Sequence, residues 1–231
     1  TSSTRGARTA IVFDLDGTLV DSRADIAQSL NVGLEAVGAK PRAVSELYPF
    51  IGKPLAEIFA ELLGGESPEA ERTEAACEAY RQHYFAHCAD ASTLYPGVRE
   101  TLATLRGDCR LAVATTKRTF MAERVIELFG LAPLFDVVLG TDGIPYKPDP
   151  AILRILLARF GCEPSQALMV GDTRADVLAA QSAGLYSAAV LYGIGDPSAL
   201  VALAPTFALR RIDELPEHVI GLWPNRKRRG E

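Results

Sequence analysis

The chain has 231 residues, 48% of them apolar and 23% charged, with a formal net charge of −5. That length fits one α/β domain plus a smaller module, and the acidic balance argues against a broad nucleic-acid-binding face. Four scattered cysteines, Cys77, Cys88, Cys109 and Cys162, form neither a zinc knuckle nor a disulfide framework, and no apolar run reaches membrane-spanning length.

Thr1–Ala10 lacks the apolar core of a signal peptide, so it reads as a loose leader on a cytoplasmic protein. Ile11-Val12-Phe13 reads as a strand buried on both faces of a parallel sheet. Two carboxylates follow at its end, Asp14 and Asp16, with Gly17 to let the chain turn and Thr18 to bond the freed backbone. Asp21 or Ser22 then caps a helix through Ile26, Leu30, Leu34 and Val37 that stops at Gly38. A helical stretch covers Val44–Phe50. Pro54 sits as the first residue of a helix whose apolar stripe is Leu55, Ile58, Phe59, Leu62 and Leu63. A longer acidic helix runs from about Pro68 to His87. No strand is expected between Ala24 and Ala89, so residues 21–91 read as an inserted all-helical cap on a core of 1–20 and 92–231. Two connections to the core would make it a hinged lid.

Strand and helix alternate thereafter, the signature of right-handed βα units and a parallel sheet. Tyr95-Pro96-Gly97-Val98 opens a helix to Leu105. Strands are expected over Arg110–Thr115, Phe135–Leu139, Ala167–Val170 and Ser187–Leu191, with a possible edge strand at Thr206–Leu209. Helices run through Met121, Val125 and Leu128 to Gly130, from Pro150 to Phe160, and from about Ala175 to Ser182 with Gly184 as the stop. The basic run Arg226-Lys227-Arg228-Arg229 reads as a solvated tail.

In such a sheet, ligands collect at the carboxyl ends of the strands. Those ends carry Asp14 and Asp16, then Thr115-Thr116-Lys117, then the loop holding Lys147, then Gly171-Asp172 with Asp176. Carboxylates, hydroxyls and an ammonium at one rim suit phosphoryl transfer. A carboxylate nucleophile splits the displacement into two steps, and Mg²⁺ is the hard cation that best relieves the repulsion between Asp14 and Asp172. Hydroxyl, backbone N–H and ammonium groups hold the phosphate oxygens. His83 and His87 have the i, i+4 spacing of a zinc pair, but no carboxylate follows His83 as in HExxH, and zinc is not expected.

Four motifs, in order, resemble the haloacid dehalogenase (HAD) superfamily, in its phosphoglycolate-phosphatase-like group with a helical cap. They are Asp14-Leu15-Asp16-Gly17-Thr18, Thr115 ending its strand, Lys147 before Pro148-Asp149-Pro150, and Gly171-Asp172 with Asp176. The resemblance implies a Rossmann-like parallel sheet with an inserted helical cap. It implies Asp14 as nucleophile, Asp16 as acid and base, and Thr115 and Lys147 as phosphate ligands beside Gly17 and Thr116. The implied metal ligands are the Asp14 carboxylate, the Asp16 backbone carbonyl and Asp172, with Asp176 either touching the metal or orienting Lys147. Asp at position 16 favours ester hydrolysis over the dehalogenase and transport-ATPase branches. The absence of His in Ser22-Arg23-Ala24-Asp25 favours it over mutases. Phe50-Ile51-Gly52-Lys53-Pro54-Leu55 is similar to the family's substrate-facing cap loop, which makes Lys53 a candidate for an anionic group on the substrate. The expected substrate is a small phosphomonoester, phosphoglycolate first. A nucleotide, pyrophosphate and a sugar phosphate are the alternatives, and a phosphate-sensing binding protein is the non-enzymatic one.

Overall fold

A computed structural model of the chain describes residues 9–64 and 70–223. The basic run at 226–229, most of the leader and the expected helix start at Pro68 lie outside those residues. The chain divides into two compact units, Thr1–Val20 with Leu94–Glu231, and Asp21–Thr93.

From β1 (Ala10–Phe13) the chain passes through the two-residue β2 (Val20–Asp21) to α1 (Arg23–Ala36), α2 (Val44–Leu47), α3 (Leu55–Leu63) and α4 (Ala70–His87). It returns through β3 (Thr93–Leu94) and then alternates. The order is α5 (Val98–Arg106), β4 (Arg110–Ala114), α6 (Thr119–Leu128), β5 (Val137–Leu139), α7 (Ala151–Phe160) and β6 (Ala167–Gly171). After these come α8 (Arg174–Ala183), β7 (Tyr186–Val190), α9 (Pro197–Val201), β8 (Phe207–Leu209) and α10 (Leu215–Leu222).

The main sheet has six strands in the order β5-β4-β1-β6-β7-β8, every pair parallel. The chain builds outward from β1 on one side, then crosses back to lay β6 on the other. The strand order therefore reverses beside β1, where open α/β sheets bind ligands. Register sets Phe13 level with Val113 and Val170, so β4, β1 and β6 end together. Both faces of β1 are buried. Ala10 and Val12 join Ala112, Ala114 and Met169 under Ile152, Leu153 and Leu156 of α7, while Phe13 on the opposite face meets Phe135 edge-on at 6.2 Å. This two-sided burial explains the unbroken apolar run of the strand.

In the helical unit, Gly33 in mid-α1 permits close packing. A Cβ there would stand 2.4 Å from the Phe59 ring and 2.7 Å from the Ala76 carbonyl. Phe59 packs edge-on against Tyr80, which stacks on Tyr84. The Asp25 carboxylate accepts bonds from the N–H groups of Ala91 and Ser92 and from the Ser92 hydroxyl (2.6 Å), tying the start of α1 to the returning chain. None of the described helices is long and apolar enough to cross a membrane.

Several elements differ from expectation, each for a local reason. Pro54 has ψ 134° and caps α3 from outside, so the helix starts at Leu55. Pro49 breaks Val44–Phe50 into α2 and a 3₁₀ turn over Tyr48–Phe50. A second proline-bearing 3₁₀ turn, Ala132–Leu134, delays β5 to Val137. β2 and β3 pair as a two-stranded ribbon too short to leave a periodic signal, and α9 and α10 were not anticipated.

Candidate active site

Asp14 is the first residue past β1, and its N–H still bonds the Val170 carbonyl of β6 at 2.9 Å. The chain then folds into a tight turn in which the N–H groups of Leu19 and Val20 both reach the Leu15 carbonyl. Gly17 sits in this turn with φ +81°, and a Cβ on it would lie 2.1 Å from Asp172 Oδ2. Glycine is required here both for the backbone angle and because the turn lies directly on the carboxylate after β6. The Thr18 hydroxyl does not bond local backbone as expected. It donates to Asp172 Oδ1 at 2.9 Å, across 154 residues of sequence.

Asp172 is fully buried. Its other oxygen accepts the Ile194 N–H at 2.8 Å, and Gly193 packs so closely that a Cβ would meet Asp172 Cβ at 2.3 Å. The segment Tyr192–Gly195 thus forms a second wall around this carboxylate. Each Asp172 oxygen accepts one of these bonds and retains a lone pair.

Lys147 lies between three acceptors. Its ammonium donates to Asp14 Oδ1 (2.9 Å), the Ala114 carbonyl at the end of β4 (2.9 Å) and Asp176 Oδ1 (2.6 Å). Asp176 Oδ2 in turn accepts the N–H (3.0 Å) and hydroxyl (2.6 Å) of Thr173, in a capping box that starts α8. Both oxygens of Asp176 thus accept from protein donors, one of them the Lys147 ammonium. An Asp176 oxygen also lies within 4.8 Å of those of Asp14 and Asp172, so these three buried carboxylates form one cluster.

Electrostatics follow from this crowding. Burial pushes the Asp14 carboxyl up to about 8; Lys147 pulls it down, and the carboxylates of Asp176, Asp172 and Asp16 push it up further. Burial, with Asp176 beside it, pushes Asp172 up to about 7 against the Ile194 and Thr18 donors. Burial disfavours the Lys147 ammonium, but Asp14 and Asp176 outweigh it and the net shift is upward. One ammonium does not balance three carboxylates. An all-oxygen, buried set of this kind suits a hard divalent cation, whose charge reverses the penalty. The residues present fit Mg²⁺, with Asp14 and Asp172 offering the oxygens not committed to Lys147.

Asp16 pairs with a different lysine. Lys117 Nζ lies 2.5 Å from Asp16 Oδ2, and both side chains are only 9% exposed. Lys117 sits in a stiff loop. Its N–H reaches the hydroxyl of buried Thr115 (3.3 Å), its carbonyl accepts the Thr141 N–H (2.9 Å), and the Thr141 hydroxyl bonds the Thr116 carbonyl (2.8 Å). Gly140 lies against this loop, where a Cβ would meet the Lys117 carbonyl at 2.2 Å. Sequence reasoning noted Lys117 at a strand end but gave it no role. Its only signal there was its place directly after two threonines.

Asp14, Asp16, Gly17, Thr115, Lys147, Asp172 and Asp176 therefore meet at the carboxyl ends of β1, β4 and β6. Thr116 lies beside them, half buried. Lys53 belongs to the helical unit, where it pairs with Glu61 Oε2 at 2.7 Å and stands 4.9 Å over the Phe50 ring. His83 and His87 stack at 4.5 Å, with their Nδ1 atoms on the Ser29 hydroxyl and the Asp90 carboxylate respectively.

Comparison with known proteins bears on this arrangement. The model of the haloacid dehalogenase-like hydrolases matches residues 11–190, from β1 to the end of β7. The pyrophosphatase PpaX of Bacillus velezensis is 34% identical over 93% of this chain and 97% of its own length. The phosphoglycolate phosphatase of Neisseria gonorrhoeae is 32% identical over 95% of each. Among solved structures, a predicted phosphoglycolate phosphatase from Haemophilus somnus superposes with a TM-score of 0.84 at 29% identity, covering 91% of this chain and 97% of that one. The matched span contains every residue of the carboxylate rim, and with it the chain belongs to the haloacid dehalogenase-like hydrolases.

Proposed function

We propose that this chain is a Mg²⁺-dependent phosphatase acting on a small phosphomonoester through an aspartyl-phosphate on Asp14. The observation that carries the reading is the meeting of Asp14, Lys147 and Asp172 in one buried cluster, with Asp16 held separately beside it. A nucleophile and a proton-transfer group need such different surroundings.

In the proposed reaction an Asp14 oxygen attacks phosphorus and the bond to the ester oxygen breaks. The departing alkoxide takes a proton from Asp16 in its acid form. Asp16, now a carboxylate, takes a proton from water as that water attacks the phosphorus of the acyl-phosphate. Inorganic phosphate leaves and Asp14 is regenerated. Thr115 and the Lys147 ammonium hold the phosphoryl oxygens, with N–H groups of the Gly17 turn and the Thr116 side chain beside them. Mg²⁺ at Asp14, Asp172 and the Asp16 carbonyl would supply charge neutralisation. Asp176 acts by fixing Lys147.

Residues 21–91 serve in this reading as the cap that selects the leaving group, with Lys53 as a contact for its anionic end. Phosphoglycolate is the leading substrate, following the names of several relatives. Pyrophosphate is the second reading, favoured by the similarity to PpaX and by the second ammonium, Lys117, next to the group that faces the leaving oxygen. Phosphate release from phosphoglycolate, pyrophosphate, a nucleoside monophosphate and a sugar phosphate, each with Mg²⁺ or chelator, tests the proposal. Turnover in chelator equal to that in Mg²⁺ would contradict the metal role. No turnover on any ester would leave a phosphate-binding protein.

A further inference from the structure

The α/β unit holds a concavity that shares Tyr192 with the wall around Asp172. It has a volume of about 310 Å³, near the lower end of small-molecule pockets. Tyr95 and Tyr192 line it, with ring centres 4.7 Å apart and planes tilted by 53°, together with Ile212. Arg210, Arg211 and Asp213 are the charged residues of the lining. Arg211 is neutralised by a two-pronged pair with Asp213, at 2.9 and 2.8 Å. Arg210 is exposed, and its guanidinium has no partner among the described residues. The cavity thus presents two aromatic faces and a guanidinium without an ion pair among the described residues, with the Glu214 carboxylate just outside it accepting the Arg210 N–H at 3.2 Å.

We propose that this cavity binds a small flat organic anion, a ring bearing one carboxylate, and that its occupancy alters cation binding at Asp172. The ring lies against Tyr95 and Tyr192, and the carboxylate pairs with Arg210, whose fork geometry suits it. The coupling route is short and continuous. The Tyr192 hydroxyl donates to the Thr18 carbonyl at 2.8 Å, and the Thr18 hydroxyl donates to Asp172 Oδ1 at 2.9 Å. The residues after Tyr192 close the same carboxylate from the other side, through Gly193 packing and the Ile194 N–H. A ligand that shifts the Tyr192 ring therefore acts on both walls of Asp172. The coupling half of this inference rests on Asp172 as a metal ligand, whereas the binding half does not.

The test uses the full chain and phenylacetate as the probe, with acetate lacking the ring and 2-phenylethanol lacking the charge. Calorimetry should show saturable phenylacetate binding with a Kd on the order of 1 mM, as expected for about ten heavy atoms. Both controls should bind about tenfold more weakly, as should phenylacetate to Arg210→Gln. Tyr95→Leu provides a second route to the same loss, by removing one aromatic face. Titration of Mg²⁺ with and without saturating phenylacetate should give Kd values differing about twofold or more in the wild type and equal in Arg210→Gln. Three results would overturn the site: no saturable binding, unchanged binding by Arg210→Gln, or displacement of phenylacetate by inorganic phosphate, which would place it in the carboxylate rim. Binding without any change in Mg²⁺ affinity would overturn the coupling. A chain that binds no Mg²⁺ would remove the metal reading while leaving the cavity result intact.

Discussion

Lys147 in the α/β unit and Lys53 in the helical unit, both proposed to bind substrate, show two different uses of a positive charge. The Lys147 side chain is 3% exposed and satisfied by three fixed acceptors, two of them buried carboxylates. The Lys53 side chain is 43% exposed and pairs with Glu61, which is 56% exposed. A buried pair of the first kind is costly to break, since removing one partner strands the other. An exposed pair of the second kind contributes little and re-forms easily with another anion. The α/β unit therefore holds an arrangement that tolerates little change. Lys53 in the helical unit is free to exchange partners, which suits the part proposed for that unit in choosing a substrate.

The sharpest test of that contrast is at the proposed nucleophile. Asp14→Asn should lower kcat about 10³-fold or more while retaining the fold, as read by circular dichroism. Activity at wild-type levels would mean that no aspartyl-phosphate forms there.

Removing Lys147 probes the cost of the buried arrangement directly. Lys147→Met strands the Asp14 and Asp176 carboxylates and should cost roughly 3–5 kcal/mol in denaturant titration of chelator-treated protein, with part regained in Mg²⁺. A loss below about 1 kcal/mol, the range of exposed pairs, would erase the distinction between the two units.

A third test uses pH. Asp14 and Asp172 titrate in the folded chain near 8 and 7, above the ordinary value of 3.8. A raised acid favours folding fully below its unfolded value, and that contribution is lost as pH rises through the folded value. Lys147 titrates above this window. Chelator-treated protein should therefore melt at a lower temperature at pH 8.5 than at pH 6, by this ~4 to 8 window, and Mg²⁺ should flatten the slope. An equal slope with and without Mg²⁺ would separate the cation from these carboxylates.

Lys117→Met should reduce kcat/KM about tenfold for phosphoglycolate or pyrophosphate and less for p-nitrophenyl phosphate, whose leaving group has no second charged group. An equal loss on all three would assign Lys117 to positioning Asp16 alone. The smallest effect belongs to Lys53→Ala, which should shift stability by no more than about 0.5 kcal/mol and raise KM for an anionic substrate a few-fold. An unchanged KM would remove Lys53 from substrate binding.

Much of this organisation was legible in the sequence because each strand of a parallel sheet delivers its next residue to the same rim. Asp14, Thr115 and Asp172 could be listed by finding where each apolar run stops. What escaped was whatever depends on contact between distant loops. Thr18 looked like a turn residue, yet its hydroxyl serves Asp172. Gly193 and Ile194 follow β7, which contributes none of the rim carboxylates, so nothing near them pointed to Asp172. Lys117 resembled any loop lysine until Asp16 was placed beside it. Asp176 had two open readings, and the bonds its two oxygens accept from Lys147 and Thr173 support the one in which it orients the lysine.

In the proposed reaction Asp176 would also link local folding to turnover. One of its oxygens completes the first turn of α8 and the other steers the Lys147 ammonium, so fraying of that turn would misplace the lysine. A substitution at Thr173, a residue outside the reacting atoms, should then appear twice: in faster amide exchange at the start of α8, and in slower chemistry. The closed population of a single helical turn would then cap the fraction of molecules ready to react.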